Sequence, residues 1–334
     1  MKLRAGVYGL GPDGLWTARA LAAQDECELA AAGDAASDAR DAFAAATGLG
    51  LLLPDYEALL ATGIDFVVLA GCRRERMHQV RLAAEQGVHC LLHTPMALSG
   101  ADATVMAATC EAAGVQLGVL VRPLADPVFE QLRRMIAADW LGGVVTVQAL
   151  AADDELLRTG AVQHRIDPFL ALSSEHVHLA TWLTGRRAVT VSAQTTRSFA
   201  PDIDDGGVAT VVLRGNIPCT YTASRLSRAN AFAIHGTDGG VRISGDRIWL
   251  TGQRPFSGHV FAYDSPGIEQ VLLRRDLEGA LAGQRAGCEL HGRFARWLDD
   301  TDDFPCPIEQ AVLDLEVLDA MARAARDGVT VRLA

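Results

Sequence analysis

Lysine is all but missing from this chain. Of 30 Lys and Arg residues only Lys2 is a lysine, so nearly all the positive charge is arginine. Blocks of basic residues are missing too. With 41 acidic residues the formal net charge is −11, which offers a phosphate backbone no electrostatic footprint, and nucleic acid and anionic membranes are set aside as partners. No apolar run reaches the roughly eighteen residues that span a bilayer. The opening Met-Lys-Leu-Arg-Ala-Gly-Val-Tyr-Gly breaks at glycines and does not read as a signal peptide. Cys-x-x-Cys pairs are absent, and the seven cysteines (27, 72, 90, 110, 219, 288 and 306) cannot all pair within one chain, so a reducing cytoplasm is the expected location.

What is present suits ordinary globular cores. Apolar residues make up 49% of the 334, and that length exceeds what one core usually supports, so two domains are expected. Through residue 121 short apolar runs alternate with helical stretches. Leu3–Tyr8, Cys27–Gly33, Ile64–Ala70, His89–His93 and Gln116–Val121 read as strands. Asp13–Gln24, Ser37–Thr47, Glu75–Gln86 and a helix from an N-capping Ser99 to Ala113 lie between them. This rhythm predicts a parallel sheet wrapped by helices.

The first strand runs into Gly9-Leu-Gly11-Pro-Asp-Gly14. In a G-x-G-x-x-G turn the first glycine allows the bend, the second lets the backbone approach a pyrophosphate, and the third lets helix and strand pack closely. The free N–H groups of the helix start then face the phosphates. Asp34, twenty residues beyond Gly14 at the end of the second strand, stands where a carboxylate accepts from the adenosine ribose 2′-hydroxyl. A carboxylate there repels a 2′-phosphate, so NAD is favoured over NADP, although Arg40 on the next helix has the length to reach back.

After Val121, Arg122-Pro123-Leu124-Ala125-Asp126-Pro127 suits a domain boundary, dividing the chain into 1–121 and 122–334. A helix to about Ala138 follows, then strands Val144–Leu150, Ala188–Arg197, Val208–Arg214, Pro218–Ser224, Ala231–His235, Val241–Ser244 and Arg247–Leu250, with a hairpin turn at Gly215-Asn216. Helices are read at Phe169–Leu183, Gln284–Leu298 and Ile308–Arg326. The expected fold is α/β, a Rossmann dinucleotide-binding domain followed by an α+β domain with a large, mostly antiparallel sheet. Helices are available for only one face of that sheet, so a homodimer or higher homo-oligomer is expected.

These pieces resemble the Gfo/Idh/MocA (glucose-fructose oxidoreductase / inositol dehydrogenase) family over essentially the whole chain. The resemblance is carried by the glycine turn with Asp34, Asp55-Tyr56-Glu57-Ala-Leu-Leu60, Gly87-Val-His-Cys-Leu-Leu-His93-Thr94-Pro95, Ile234-His-Gly236-Thr237-Asp-Gly239, and Gly328-Val-Thr-Val-Arg332 after the terminal helix. It implies a nicotinamide cofactor and a second-domain sheet that forms the substrate wall and often a subunit interface. It also implies that the strand ending at His93-Thr94-Pro95 should end Glu-Lys-Pro, with the lysine polarising the substrate. Here the lysine position is Thr94, and no other lysine is available to replace it. The family's paired Asp and His, aligned through Trp182 to Gly185, fall at Ala171 and Glu175, and the Thr-Pro and His that flank its nicotinamide fall at Gly71-Cys72 and Arg76. Gly71 and Thr94 therefore join Gly9, Gly11, Gly14 and Asp34 as expected cofactor contacts.

Hydride transfer at an alcohol needs a group that handles the hydroxyl proton, and histidine does so near neutral pH. His93, at the carboxyl end of a parallel strand, is expected to face the ligand crevice, assisted by Glu175 or His176. Arg122, His164, Arg165 and His178 are the expected substrate contacts. Glu175 and His178 are three apart and share a helix face, but no companion pair completes a metal site, so no metal is expected. The expected activity is an NAD(P)-dependent oxidoreductase acting on a sugar, cyclitol or related small molecule with reassigned acid/base residues. A non-redox elimination or cyclisation, and a cofactor-binding regulatory protein on the same scaffold, stay open.

Overall fold

The computed structural model describes residues 2–160, 166–252, 270–273 and 289–333. The chain divides into two compact units, 1–121 with 289–315, and 122–288 with 316–334. The proline-bearing connection at Arg122–Pro127 lies at the start of the second unit. Residues 289–315, however, group with the first unit, whereas the sequence reading places all of 122–334 together.

The first unit holds strands β1 (Leu3–Tyr8), β2 (Cys27–Gly33), β3 (Leu52–Leu53), β4 (Phe66–Leu69), β5 (His89–His93) and β6 (Leu117–Leu120). They form one sheet in the order β3-β2-β1-β4-β5-β6, with every neighbouring pair parallel. Helices α1 (Pro12–Ala22), α2 (Ser37–Thr47), α3 (Tyr56–Leu60), α4 (Arg76–Glu85) and α5 (Gly100–Ala113) connect the strands. The strands form because their apolar runs are buried along their length, as all four residues of β4 and of β6 are. Such continuous runs mark strands covered on both faces. Ser99 caps α5 as expected, its side chain accepting from the Asp102 amide.

Residues 289–315 are tied to this sheet by contacts that no local pattern announces. Helix α9 (Leu290–Leu298) sets Phe294 edge-on to Phe66 and to Phe304, ring centroids 5.4 Å apart in both pairs. The Val119 amide donates to the Cys306 carbonyl at 2.9 Å, and Gly118 is without a side chain where a Cβ would lie 2.6 Å from the Phe304 ring. The long helix α10 (Ile308–Asp327) begins in this unit and ends in the second.

The second unit holds α6 (Pro127–Ala137), β7 (Val144–Ala152), α7 (Glu155–Thr159), α8 (Ser174–Thr184), β8 (Ala188–Thr196), β9 (Gly206–Leu213), β10 (Ile217–Ser224), β11 (Ala229–Gly236), β12 (Gly239–Ser244), β13 (Arg247–Gly252), β14 (Gln270–Leu273) and β15 (Val331–Arg332). Among the described residues its nine strands run in the order β14-β13-β12-β11-β7-β10-β9-β8-β15, antiparallel except where β10 meets β7. The β9–β10 hairpin turns at Gly215-Asn216, both at positive φ, as the sequence predicts. Where one helix is expected over 169–183, the chain first makes a π turn at Phe169–Ser173. Asp167 sits at its start and accepts from the Phe169 and Leu170 amides, which supplies two of the partners a helix start lacks. Phe129 of α6 packs edge-on to Phe232 of β11, and the buried face of the sheet carries Val147, Ala149, Cys219 and Tyr221. The expected helix start at Gln284 lies outside the described residues.

Candidate functional site

The β1–α1 loop is built from three glycines with different duties. Gly9 has φ +95°, and a Cβ there would lie 2.3 Å from the Gly71 amide nitrogen at the end of β4. At Gly14 a Cβ would lie 2.1 Å from the Gly9 carbonyl oxygen. These two positions are closed by backbone, so only glycine fits. Gly11 is the opposite case. A Cβ there meets nothing within 4 Å, and Gly11 is also the N-cap of α1, with no side-chain cap on the helix amides. Open space in front of a bare helix start is the cradle a pyrophosphate requires.

At the end of β2 the Asp34 carboxylate accepts from the Leu10 amide at 2.8 Å and the Ala36 amide at 2.9 Å, fastening the loop to the neighbouring strand. Arg40 does reach back, its guanidinium donating to the Asp34 carbonyl at 2.6 Å and the Ala35 carbonyl at 3.0 Å. The donor set fits a dinucleotide: a bare helix N-terminus for the phosphates and an acceptor carboxylate for a ribose hydroxyl.

On the other side of β1, the segment after β5 crosses the cis Thr94–Pro95 bond and is grasped by arginine. Arg76 donates to the carbonyls of His93 and Pro95, and Arg73 to that of Thr94 at 3.4 Å. Arg76 is 1% exposed, and no described carboxylate forms an ion pair with it. Burial, and then the neighbouring Arg73, pull its pKa down to about 9, which still leaves it charged at neutral pH.

His93 does not face the crevice as expected. It is 2% exposed, and its ring is turned towards α1 and α9: Nε2 lies 2.9 Å from the Thr17 hydroxyl, and the ring packs edge-on to Trp16. Trp16 in turn packs against the buried His291, whose pKa is held down to about 3 by burial and by His93. The strand end was read correctly, but the side chain leaves on the packed face. Thr94, one residue on, is only partly buried.

Within the second unit, Glu175 accepts from the Arg122 amide at 3.3 Å, which brings together two residues 53 apart in sequence. His176 lies stacked on Phe232, ring centroids 6.4 Å apart, and burial pulls its pKa down to about 4. His178 is buried, and His164 and Arg165 lie outside the described residues. A further polar group of this unit belongs to the polar segment His164-Arg165-Ile-Asp167 of the sequence. Asp167, its pKa raised chiefly by burial, is drawn back by the two amides it caps and by Arg225, and the buried Arg225 donates to the Ile166 carbonyl at 2.9 Å. Its only sequence signal was the polar density of 164–167. Arg76 was singled out in the sequence as standing at the family's histidine position, but its burial and its reach to the His93 and Pro95 carbonyls were not.

The oxidoreductase-family model for the NAD-binding Rossmann fold, GFO_IDH_MocA, matches residues 3–121, and the GFO/IDH/MocA C-terminal domain model matches residues 129–242. The D-apiose dehydrogenase of Paraburkholderia graminis is 29% identical over 239 residues, covering 66% of this chain and 62% of that protein. The NADP(+)-dependent D-xylose 1-dehydrogenase 2 of Haloferax volcanii is 33% identical over 165 residues, 48% of this chain and 50% of that protein. The chain thus spans about half to three-fifths of the length of these curated relatives. The fold matches the WlbA dehydrogenase of Bordetella pertussis, solved with NADH and UDP-GlcNAcA, with a TM-score of 0.83 at 23% identity over 100% of this chain and 98% of that one.

Proposed function

Because the chain belongs to the Gfo/Idh/MocA family, we propose that it is a nicotinamide-dependent oxidoreductase acting on a sugar, a cyclitol or a related polyhydroxy molecule. The observation that carries this reading is the open cradle at Gly11, set between two glycines closed by backbone and beside Asp34. The substrate class follows relatives named for apiose and xylose. NAD is read over NADP because the Asp34 carboxylate repels a 2′-phosphate and Arg40 already donates to two carbonyls.

When bound, the nicotinamide supplies a hydride acceptor or donor. The chain's own residues do the rest. The α1 amides and the Gly11 backbone hold the phosphates, Asp34 accepts from the ribose, and Gly71 keeps the end of β4 low beneath the cofactor. Thr94, at the family's lysine position, donates or accepts a hydrogen bond at the substrate hydroxyl but is too weak an acid to carry its proton. That proton is assigned to Glu175, which stands at the family's histidine position; carboxylates serve as general bases when held in reach. His93 supports the β5 end from behind, through Thr17 and Trp16. Arg122, His164 and Arg165 are assigned to substrate binding; His178, as buried as His93, is not kept among them. The open face of strands β7 to β10 is assigned to contact with another copy of the chain.

Titration with NAD+ and NADP+, followed by NADH formation against a panel of aldoses, aldonic acids and cyclitols, tests the reading. NAD+ is expected to bind the more tightly, and Glu175→Gln to lower kcat about a hundredfold or more while NAD+ affinity stays within a few-fold. Failure to bind either cofactor at millimolar concentration would sink the proposal, and full turnover by Glu175→Gln would sink the proton assignment.

A further inference from the structure

A fully buried cation with no carboxylate beside it is costly, so its presence calls for a reason. Arg76 is such a cation. Its guanidinium donates to the His93 and Pro95 carbonyls, its Nε has no partner among the described residues, and among these residues the carboxylate whose charge opposes it is Asp13, in the first turn of α1, which forms no ion pair with it. Two peptide carbonyls orient a guanidinium but leave its net charge in place.

The sheet order fixes where that charge lies along a bound dinucleotide. β1 delivers the phosphate cradle, and β2, with Asp34, lies on one side of it. The ribose held by Asp34 is the adenosine one, so the other half of the dinucleotide extends over the ends of β4 and β5, as ligands do outside the carboxyl ends of an open parallel sheet. Arg76 starts the helix that follows β4 and holds the segment that follows β5, so it lies at that other half.

The oxidised and reduced cofactors differ by one unit of charge, and the difference sits on the nicotinamide ring, cationic in NAD+ and neutral in NADH. We propose that Arg76 sets the chain's preference between the two forms, disfavouring the cationic ring and so holding NADH more tightly than NAD+. The proposal rests on the reading that the crevice binds a nicotinamide dinucleotide. Because the charge is buried, its field reaches the ring less screened than a surface arginine's would be, and an effect of order tenfold on the affinity ratio is expected.

The test is calorimetric titration of the full chain with NAD+ and NADH separately. Arg76→Gln should lower the ratio of NADH to NAD+ affinity about tenfold. Arg76→Lys, which keeps the charge, should hold most of it, and Asp13→Asn, which removes that opposing carboxylate, should raise it. Losing the hydrogen bonds to His93 and Pro95 alone would weaken both forms alike, so the ratio isolates the charge. An unchanged ratio in Arg76→Gln with both forms still bound overturns the proposal. If that variant does not fold, an unchanged ratio in Asp13→Asn overturns it instead. A wild-type chain that binds neither form removes the cofactor reading and this inference with it, whereas bound cofactor at a constant ratio removes this inference alone.

Discussion

At the scale of single residues, the glycines of the β1–α1 loop separate folding from binding. Gly14→Ala drives a methyl into the Gly9 carbonyl, where the obstacle is backbone and cannot rotate away, so it should cost roughly 2 kcal/mol or more in thermal or denaturant unfolding. Gly11→Ala adds a methyl to open space at an extended backbone position and should leave stability within about 0.5 kcal/mol. That methyl occupies the approach to the helix amides, so NAD+ affinity should fall at least about tenfold in a titration. A Gly11→Ala chain that binds as well as wild type would remove the cradle. Gly9 and Gly14 were legible in the sequence because the turn and the close approach of backbone demand glycine at fixed spacing. The direction of His93 was not. Its strand end follows from the alternating pattern, but which face its ring takes is decided by Thr17 and by Trp16 with His291 behind it, a partner nearly two hundred residues further along the chain. Arg76 was visible as a residue, but its reach to the His93 and Pro95 carbonyls is a matter of tertiary placement.

At the scale of elements, α9 carries a pH dependence into the first unit. His291 is buried with its pKa held down to about 3, against about 6.5 in an unfolded chain, so the folded form requires it neutral. Its contribution is complete above about pH 6.5 and is lost as pH falls towards 3, because the unfolded chain takes up the proton first. Unfolding measured at pH 7 and pH 5 should show ~2 kcal/mol lost from this residue, and His291→Phe should flatten that stretch of the profile. An equally steep profile in the variant would assign the loss to other groups. His176, lowered in the same direction, adds to the wild-type slope. The strands and long helices were legible because their apolar runs and caps are local: β2, α2 and β5 have the bounds read from sequence. The pair β3 and α3 is too short to show a period, and the π turn before α8 is set by the Asp167 cap. The attachment of α9 to the first sheet depends on Phe294 meeting Phe66 across more than two hundred residues, which no window of sequence displays.

At the scale of the whole molecule, the second sheet sets the question of assembly. The side chains on one face of β7 to β10 form its core, while Gln148, Ser192, Gln194, Val208, Thr210 and Thr222, which point the other way, are exposed. No charge stands among them, although the chain as a whole carries −11. Arg242, Arg247 and Arg332 stand on the same face but on the outer strands β12, β13 and β15, so the uncharged middle is poorly matched to water and well matched to a second such middle, with few polar groups to desolvate. The arrangement that covers both copies at once is a two-fold one, in which each residue near the axis meets its own counterpart. Light scattering or sedimentation at micromolar concentration should therefore give a dimer or a multiple of it. Thr210→Arg places a charge on a central strand of that face and, across a two-fold axis, places two facing each other, so it should shift the equilibrium to monomer while leaving the unfolding of the chain little changed. A wild-type chain that stays monomeric across the whole concentration range would show that this face meets solvent after all, and an assembly unaffected by Thr210→Arg would place the interface elsewhere.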